Sequence, residues 1–207
     1  MIGTSRCIAL IHNECWGLDS SLPTTVRCPL ISRQTTYVVF LHTNLVFCIL
    51  QMLVDYGLSR NNTVEVLDLQ ANRLSGMCAM SLARLLQENH SIQVLNLANN
   101  RVSDECVVAV AESLPYNTVL EELDLRSCGV SEAGIEILSK AAMASETLRQ
   151  VFIWGNECGP AAAAAWRDLC VAKAQSPGGA FVTDAEPYEV DGVPMLALSN
   201  EDDEPHI

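Results

Sequence analysis

Residues 64–74 read VEVLDLQANRL, and residues 92–102 read IQVLNLANNRV. Residues 120–130, LEELDLRSCGV, and residues 148–158, LRQVFIWGNEC, repeat the phrase. Each copy carries apolar residues at its first, fourth, sixth and eleventh positions. The ninth holds Asn72, Asn100, Cys128 and Asn156 in turn. The starts at 64, 92, 120 and 148 are spaced by 28 residues without insertion. Such a period is the mark of stacked units that bury their apolar faces against one another.

Within a unit, the fourth and sixth positions are two residues apart, as a strand with one buried side requires. The asparagine then turns the chain, and its carboxamide can satisfy backbone groups that the bend leaves unpaired. Ser75, Ser103 and Ser131 follow as candidate helix N-caps, with Asp104, Glu105 and Glu132 in the first turns beyond them. Apolar residues then recur at helical spacing: Leu82, Leu85 and Leu86; Val107, Val110 and Leu114; Ile135, Leu138 and Ala142. Gly159-Pro160 opens a last helix.

One period upstream of 64, Val39, Leu41, Asn44 and Val46 fit the pattern and Thr36 does not. The apolar segment 38–54 is therefore read as a repeat unit; with His42, Thr43, Asn44 and Gln51 inside it, it is also short for a membrane span. The sequence predicts a solenoid over 36–175, with units starting at 36, 64, 92, 120 and 148. Residues 1–35 are a degenerate repeat, a cap or a disordered lead. Residues 176–207 form an acidic extension with a hairpin over 188–196 that turns at Asp191-Gly192 and would cap the open end.

The phrases VEVLDLQANRLS, IQVLNLANNRVSDE and LEELDLRSCGVSEAG resemble the ribonuclease-inhibitor-like class of leucine-rich repeats. That resemblance implies an α/β horseshoe arc, with parallel strands on the concave face and α-helices on the convex face. The tail phrase PYEVDGVPMLALSN resembles the C-terminal extension of a ciliary leucine-rich repeat protein, the leucine-rich repeat-containing protein thirty-four type.

Composition narrows the functions. The chain has 207 residues, with 12 Lys and Arg against 25 Asp and Glu, a formal net charge of -13. Such a chain repels phosphate backbones and anionic bilayers, so neither nucleic acid nor membrane is expected as a partner. Nine cysteines, an odd number without C-x-x-C spacing, point to reduced thiols in a cytoplasmic protein and not to zinc or a disulfide framework. His12, His42, His90 and His206 form no metal spacing, and no phosphate loop, dinucleotide fingerprint or nucleophile elbow is present. No cofactor, metal or catalytic residue is expected, and the chain reads as a non-enzyme. Cys78 and Cys106, one period apart, read as core thiols. The glycosylation-like triplets at Asn61 and Asn89 are one period apart too, with Asn117 next, and read as repeat grammar.

The surface left for function is the outward face of the strands. It carries Asp68, Asn96, Asp124 and Phe152 on one row, Glu122 on the row before and Arg126 and Trp154 on the row after. Asp68, Asn96 and Asp124 are expected as a solvated ladder, and Asp68, Asp124 and Glu122 are expected to steer a basic partner. Phe152 and Trp154 are expected to anchor a partner or to lie under the C-terminal tail, with Arg126 one strand spacing away, about 4.8 Å, and stacked on the Trp154 indole. Five units form a short arc with no polar N-terminal cap in view, which predicts that another chain covers that end. The expected function is a scaffold subunit of a hetero-assembly such as a ciliary or flagellar axoneme. The alternatives are a small-GTPase regulator of the Ran GTPase-activating type and, behind it, a membrane-anchored receptor.

Overall fold

The computed structural model describes residues 7–10, 37–40, 50–51, 54–55, 57–176 and 181–198. Thr36, His42, Asn44 and the acidic terminus 199–207 lie outside them, as does most of 1–35.

Seven parallel strands form one sheet in chain order: β1 (Cys7–Leu10), β2 (Tyr37–Phe40), β3 (Val64–Asp68), β4 (Val94–Asn96), β5 (Glu122–Asp124), β6 (Gln150–Phe152) and β7 (Val182–Thr183). Among the described residues, four α-helices follow β3, β4, β5 and β6 in turn: α1 (Ala79–Glu88), α2 (Ser103–Ser113), α3 (Glu132–Ala144) and α4 (Pro160–Ala174). Leu67 pairs with Leu95, Leu95 with Leu123 and Leu123 with Val151, so the 28-residue period is the pairing register of the sheet. All four are 0% exposed. Each such side chain contributes about 1.5–3 kcal/mol by leaving water. The result is the α/β solenoid that the repeat predicts.

The core lies between the sheet and the helices. Leu69, Leu97, Leu125 and Ile153 come from the strand side, and Leu82, Val107, Ile135 and Trp166 from the helices. The sixth-position residues sit just past the strand ends, where each amide is held by the next strand: Leu69 N–H donates to Asn96 O, Leu97 N–H to Asp124 O and Leu125 N–H to Phe152 O, at 2.8–2.9 Å.

Two ladders of side chains bridge successive units. Asn100 Oδ1 accepts from Asn72 N–H at 3.0 Å and Leu74 N–H at 2.9 Å, and its Nδ2 donates to Leu69 O and Leu97 O. Asn156 does the same for Cys128 N–H, Val130 N–H, Leu125 O and Ile153 O. At Cys128 the thiol donates to Leu97 O at 3.2 Å, and burial pushes that thiol up to about 12. The sequon-like asparagines build the second ladder. Asn89 Nδ2 donates to Leu58 O and Asn61 O, while its Oδ1 accepts from Ser91 and Ile92 N–H. Asn117 repeats the pattern with Leu86 O, Val119 N–H and Leu120 N–H.

The helix starts differ in part from expectation. Ser131 caps α3 by accepting from Gly134 N–H at 3.5 Å. Ser75 makes no side-chain cap. Ser103 lies at φ 57°, which turns its hydroxyl toward Glu105 Oε2 at 2.6 Å and away from the helix amides. At the starts of α3 and α4 acidic residues of the preceding unit also accept backbone amides. Asp104 Oδ1 accepts from Ser131 N–H at 2.8 Å, and Glu132 Oε1 accepts from Ala161 N–H at 2.7 Å. Gly159 makes room for the latter, since a Cβ there would meet the Glu132 carboxylate at 2.4 Å.

After α4 the chain adds β7 beside β6 and then folds into an antiparallel hairpin, β8 (Ala185–Val190) and β9 (Val193–Leu198). Asp191 and Gly192, at φ 52° and 79°, make its two-residue turn. The hairpin lies against α4, with Ala185 buried and Leu196 packed on the core. Among the described residues no helix is long and apolar enough to cross a membrane.

Candidate interaction surface

Position within the strand decides which side chains of the outward face are available. Asp68, Asn96 and Asp124 each end a strand, and each turns its Oδ1 back to accept from the amide two residues on: Gln70 at 2.9 Å, Ala98 at 3.0 Å and Arg126 at 3.0 Å. This is the geometry of an Asx turn, and it closes the strand. Asp68 and Asp124 are buried by it, at 9% and 3% exposure, and Asn96 is half-buried. The solvated acidic ladder is thus corrected: these carboxylates answer backbone amides before they can meet a partner. Glu122 remains half-buried, and desolvation, with the Asp124 charge second, raises its carboxyl above the usual range.

Arg126, Phe152 and Trp154 come together at the C-terminal end of the face. Each is half-buried. The Arg126 guanidinium grips Asp124, Nη2 to Oδ2 at 2.6 Å and Nε to Oδ2 at 3.0 Å, with the arginine side chain 34% exposed and the aspartate 4%. Its guanidinium carbon lies 5.5 Å from the Phe152 ring centroid. The expected stacking partner is therefore corrected from Trp154 to Phe152. Asp124 and Phe152 are direct partners across the sheet, so an arginine drawn back to Asp124 is carried over Phe152. Trp154 lies beyond the strand end, where its carbonyl accepts from Ser127 N–H at 2.7 Å.

The C-terminal segment meets this site through its backbone. Val182 pairs with Gln150 and Thr183 with Val151. Asp184 then substitutes a side chain for the carbonyl that the next strand would offer: its carboxylate accepts from Ile153 N–H at 2.8 Å and Trp154 N–H at 2.9 Å. Burial raises the Asp184 carboxyl, against the pull of those two amides and Arg126. The Phe152 and Trp154 side chains stay half-exposed.

Asp184 did not figure among the expected site residues, nor did Lys173, 8% exposed, whose ammonium donates to Ser145 O and to Leu148 O at 2.9 Å. Lys173 stands one period after Ser145, so it ends the second ladder as Asp184 ends the sheet. The 28-residue step reaches Lys173 directly; the functional pattern stops at asparagine and passes over it.

Cys78 and Cys106 are buried and held as neutral thiols, Cys106 pushed up to about 12 by burial first and then by Cys78. Among the described residues no cluster of three or more His, Cys, Asp or Glu could hold a metal ion.

The Leucine Rich repeat family model matches residues 88–111 and 116–139, which span β4, most of α2, β5 and the first part of α3. The fold is a leucine-rich repeat. Among solved structures, the leiomodin-1 actin-binding site 2 is similar at a TM-score of 0.53 and 18% identity, over 65% of this chain and 75% of that one. The tropomodulin C-terminal domain of Caenorhabditis elegans is similar at a TM-score of 0.50 and 16% identity, over 62% and 78%. At these identities the likeness is one of fold. No curated protein matches the chain in sequence. A leucine-rich repeat is typically a non-enzymatic interaction module, presenting an extended face to other proteins.

Proposed function

We propose that this leucine-rich repeat chain is a scaffold subunit of an intracellular hetero-assembly, holding its partner on the concave face at Phe152, Trp154 and Arg126. The observation that carries the reading is a half-exposed aromatic pair beside an arginine already fixed by Asp124. Aromatic and arginine side chains dominate binding energy at protein interfaces, and a prearranged guanidinium loses less freedom when a partner arrives. Glu122, also half-buried, supplies an acidic neighbour for a basic partner surface, and Asn96, Asp68 and Asp124 shape the floor. The tail phrase PYEVDGVPMLALSN favours a ciliary axoneme as the setting. The similar fold of the leiomodin-1 actin-binding site 2 is compatible with a cytoskeletal one. A GTPase regulator would need an arginine or asparagine to extend toward a nucleotide; the grip of Asp124 on Arg126 weighs against that role.

The test is affinity capture from ciliated cells with mass spectrometry, followed by titration of the purified partner. Trp154→Ala and Phe152→Ala should each weaken binding by about thirtyfold, equivalent to about 2 kcal/mol. Folding should remain intact. Unchanged affinity together with a destabilised chain would assign both aromatics to internal packing and end the concave-face reading.

A further inference from the structure

The C-terminal hairpin has two faces of different fate. Ala185, Pro187 and Leu196 face α4 and the core. On the other face the register places Tyr188 opposite Met195, Val190 opposite Val193 and Glu186 opposite Ala197. These six side chains alternate with the inward set, so they share one side of the ribbon. Tyr188, Met195, Val190 and Val193 are 44%, 41%, 48% and 43% exposed. Four large apolar side chains thus stand together on a surface that nothing among the described residues covers, and such a patch marks an interaction site.

The hairpin also limits how a partner can approach. With a two-residue turn, Val190 and Val193 exchange hydrogen bonds, and so do the pairs Tyr188–Met195 and Glu186–Ala197. The alternate pairs, Glu189–Pro194 and Pro187–Leu196, direct their backbone groups to the two outer edges. Each edge therefore carries a proline, which has no N–H to give, and added strands are resisted on both sides. The face is the remaining approach. From Glu186 to Val190 it runs about 13 Å at strand rise, the length of roughly nine residues of α-helix.

Charge selects the occupant. Residues 181–198 contain no Lys or Arg, while Glu186 on the same face and Asp191 at the turn are exposed beside the patch. Glu189, on the inward side, turns instead to Arg167 of α4 at 4.0 Å. A second copy of a chain carrying -13 would be repelled. We infer that the outer face of the hairpin docks a cationic amphipathic helix of a partner protein, with its apolar stripe on Tyr188, Val190, Val193 and Met195 and its lysines or arginines reaching Glu186 and Asp191. This site is separate from the concave face and does not depend on the reading given to Phe152 and Trp154.

The probe is a fluorescent 12-residue helical peptide of Leu and Lys with Leu at i, i+3, i+4 and i+7, titrated by anisotropy into the full chain. Its control carries Glu for every Lys. The Lys peptide should bind, and Tyr188→Ser with Met195→Ser should weaken it by about tenfold or more. About 0.5 M salt should weaken it severalfold, the Glu peptide should fail to bind, and Phe152→Ala should leave the affinity within about twofold. Should the double variant lose its thermal transition, Val190→Thr with Val193→Thr takes its place and should show the same weakening. Absence of binding by the Lys peptide overturns the proposal. So does equal binding of the Glu peptide, affinity that ignores both hairpin double variants, or a hairpin-dependent dimer in sedimentation.

Discussion

Cys128 interrupts an asparagine ladder, and the interruption can be repaired. In the flanking rungs one carboxamide oxygen accepts two amides of the preceding unit: Asn100 takes Asn72 and Leu74 N–H, and Asn156 takes Cys128 and Val130 N–H. The equivalent amides for position 128 are those of Asn100 and Val102, one period earlier. Sulfur is a weak acceptor, and the Cys128 thiol already spends its proton on Leu97 O at 3.2 Å. Cys128→Asn should restore the carboxamide to all these groups. Two neutral hydrogen bonds at about 1 kcal/mol each, less the strain of a slightly larger side chain in a fully buried site, leave a gain of about 1 kcal/mol. For a chain of this length that raises the thermal midpoint by about 2–4 °C. The reciprocal change, Asn100→Ala, should cost about 3–5 kcal/mol, because it strips partners from two buried amides and at least two carbonyls at once. Urea unfolding of both variants, compared at constant m-value, measures the pair. A loss of stability in Cys128→Asn, or a cost below about 1 kcal/mol in Asn100→Ala, would refute the claim that the carboxamides hold successive units together.

Lys173→Met tests the second ladder: burial, with Arg149 second, lowers the Lys173 pKa from 10.5, so between its folded value and 10.5 the unfolded chain binds more protons and stability rises with pH. The wild type should therefore gain on Lys173→Met in urea midpoint as pH climbs from neutral toward 10.5, and a flat difference would contradict it. Glu132→Ala, which uncaps the start of α4, should lower stability by about 1 kcal/mol, read by chemical denaturation. At pH 8 the Cys106 and Cys128 thiols, both pushed up to about 12, should react with a disulfide reagent on the order of a thousandfold more slowly than an ordinary thiol until the chain unfolds, as mass-resolved labelling would show.

The strand register and the asparagine rungs were legible in the sequence because repetition sets them. Leu67, Leu95, Leu123 and Val151 pair because the period fixes their register, and Asn100 and Asn156 turn the chain because each meets equivalent backbone groups one period earlier. Tertiary structure decided what happens where repetition breaks. At the end of the stack Asp184 and Lys173 answer groups that a further unit would have answered, and nothing in a motif ties a charged side chain to that duty. On the outward face the sequence supplied the rows but not the rotamers. Asp124 was free to face solvent on strand alternation alone, yet it closes its own turn and holds Arg126, which places the guanidinium over Phe152 instead of Trp154. Strand period fixes which side of a sheet a residue occupies; competition among nearby donors and acceptors fixes where its polar end goes, and that competition exists only once the strands are side by side.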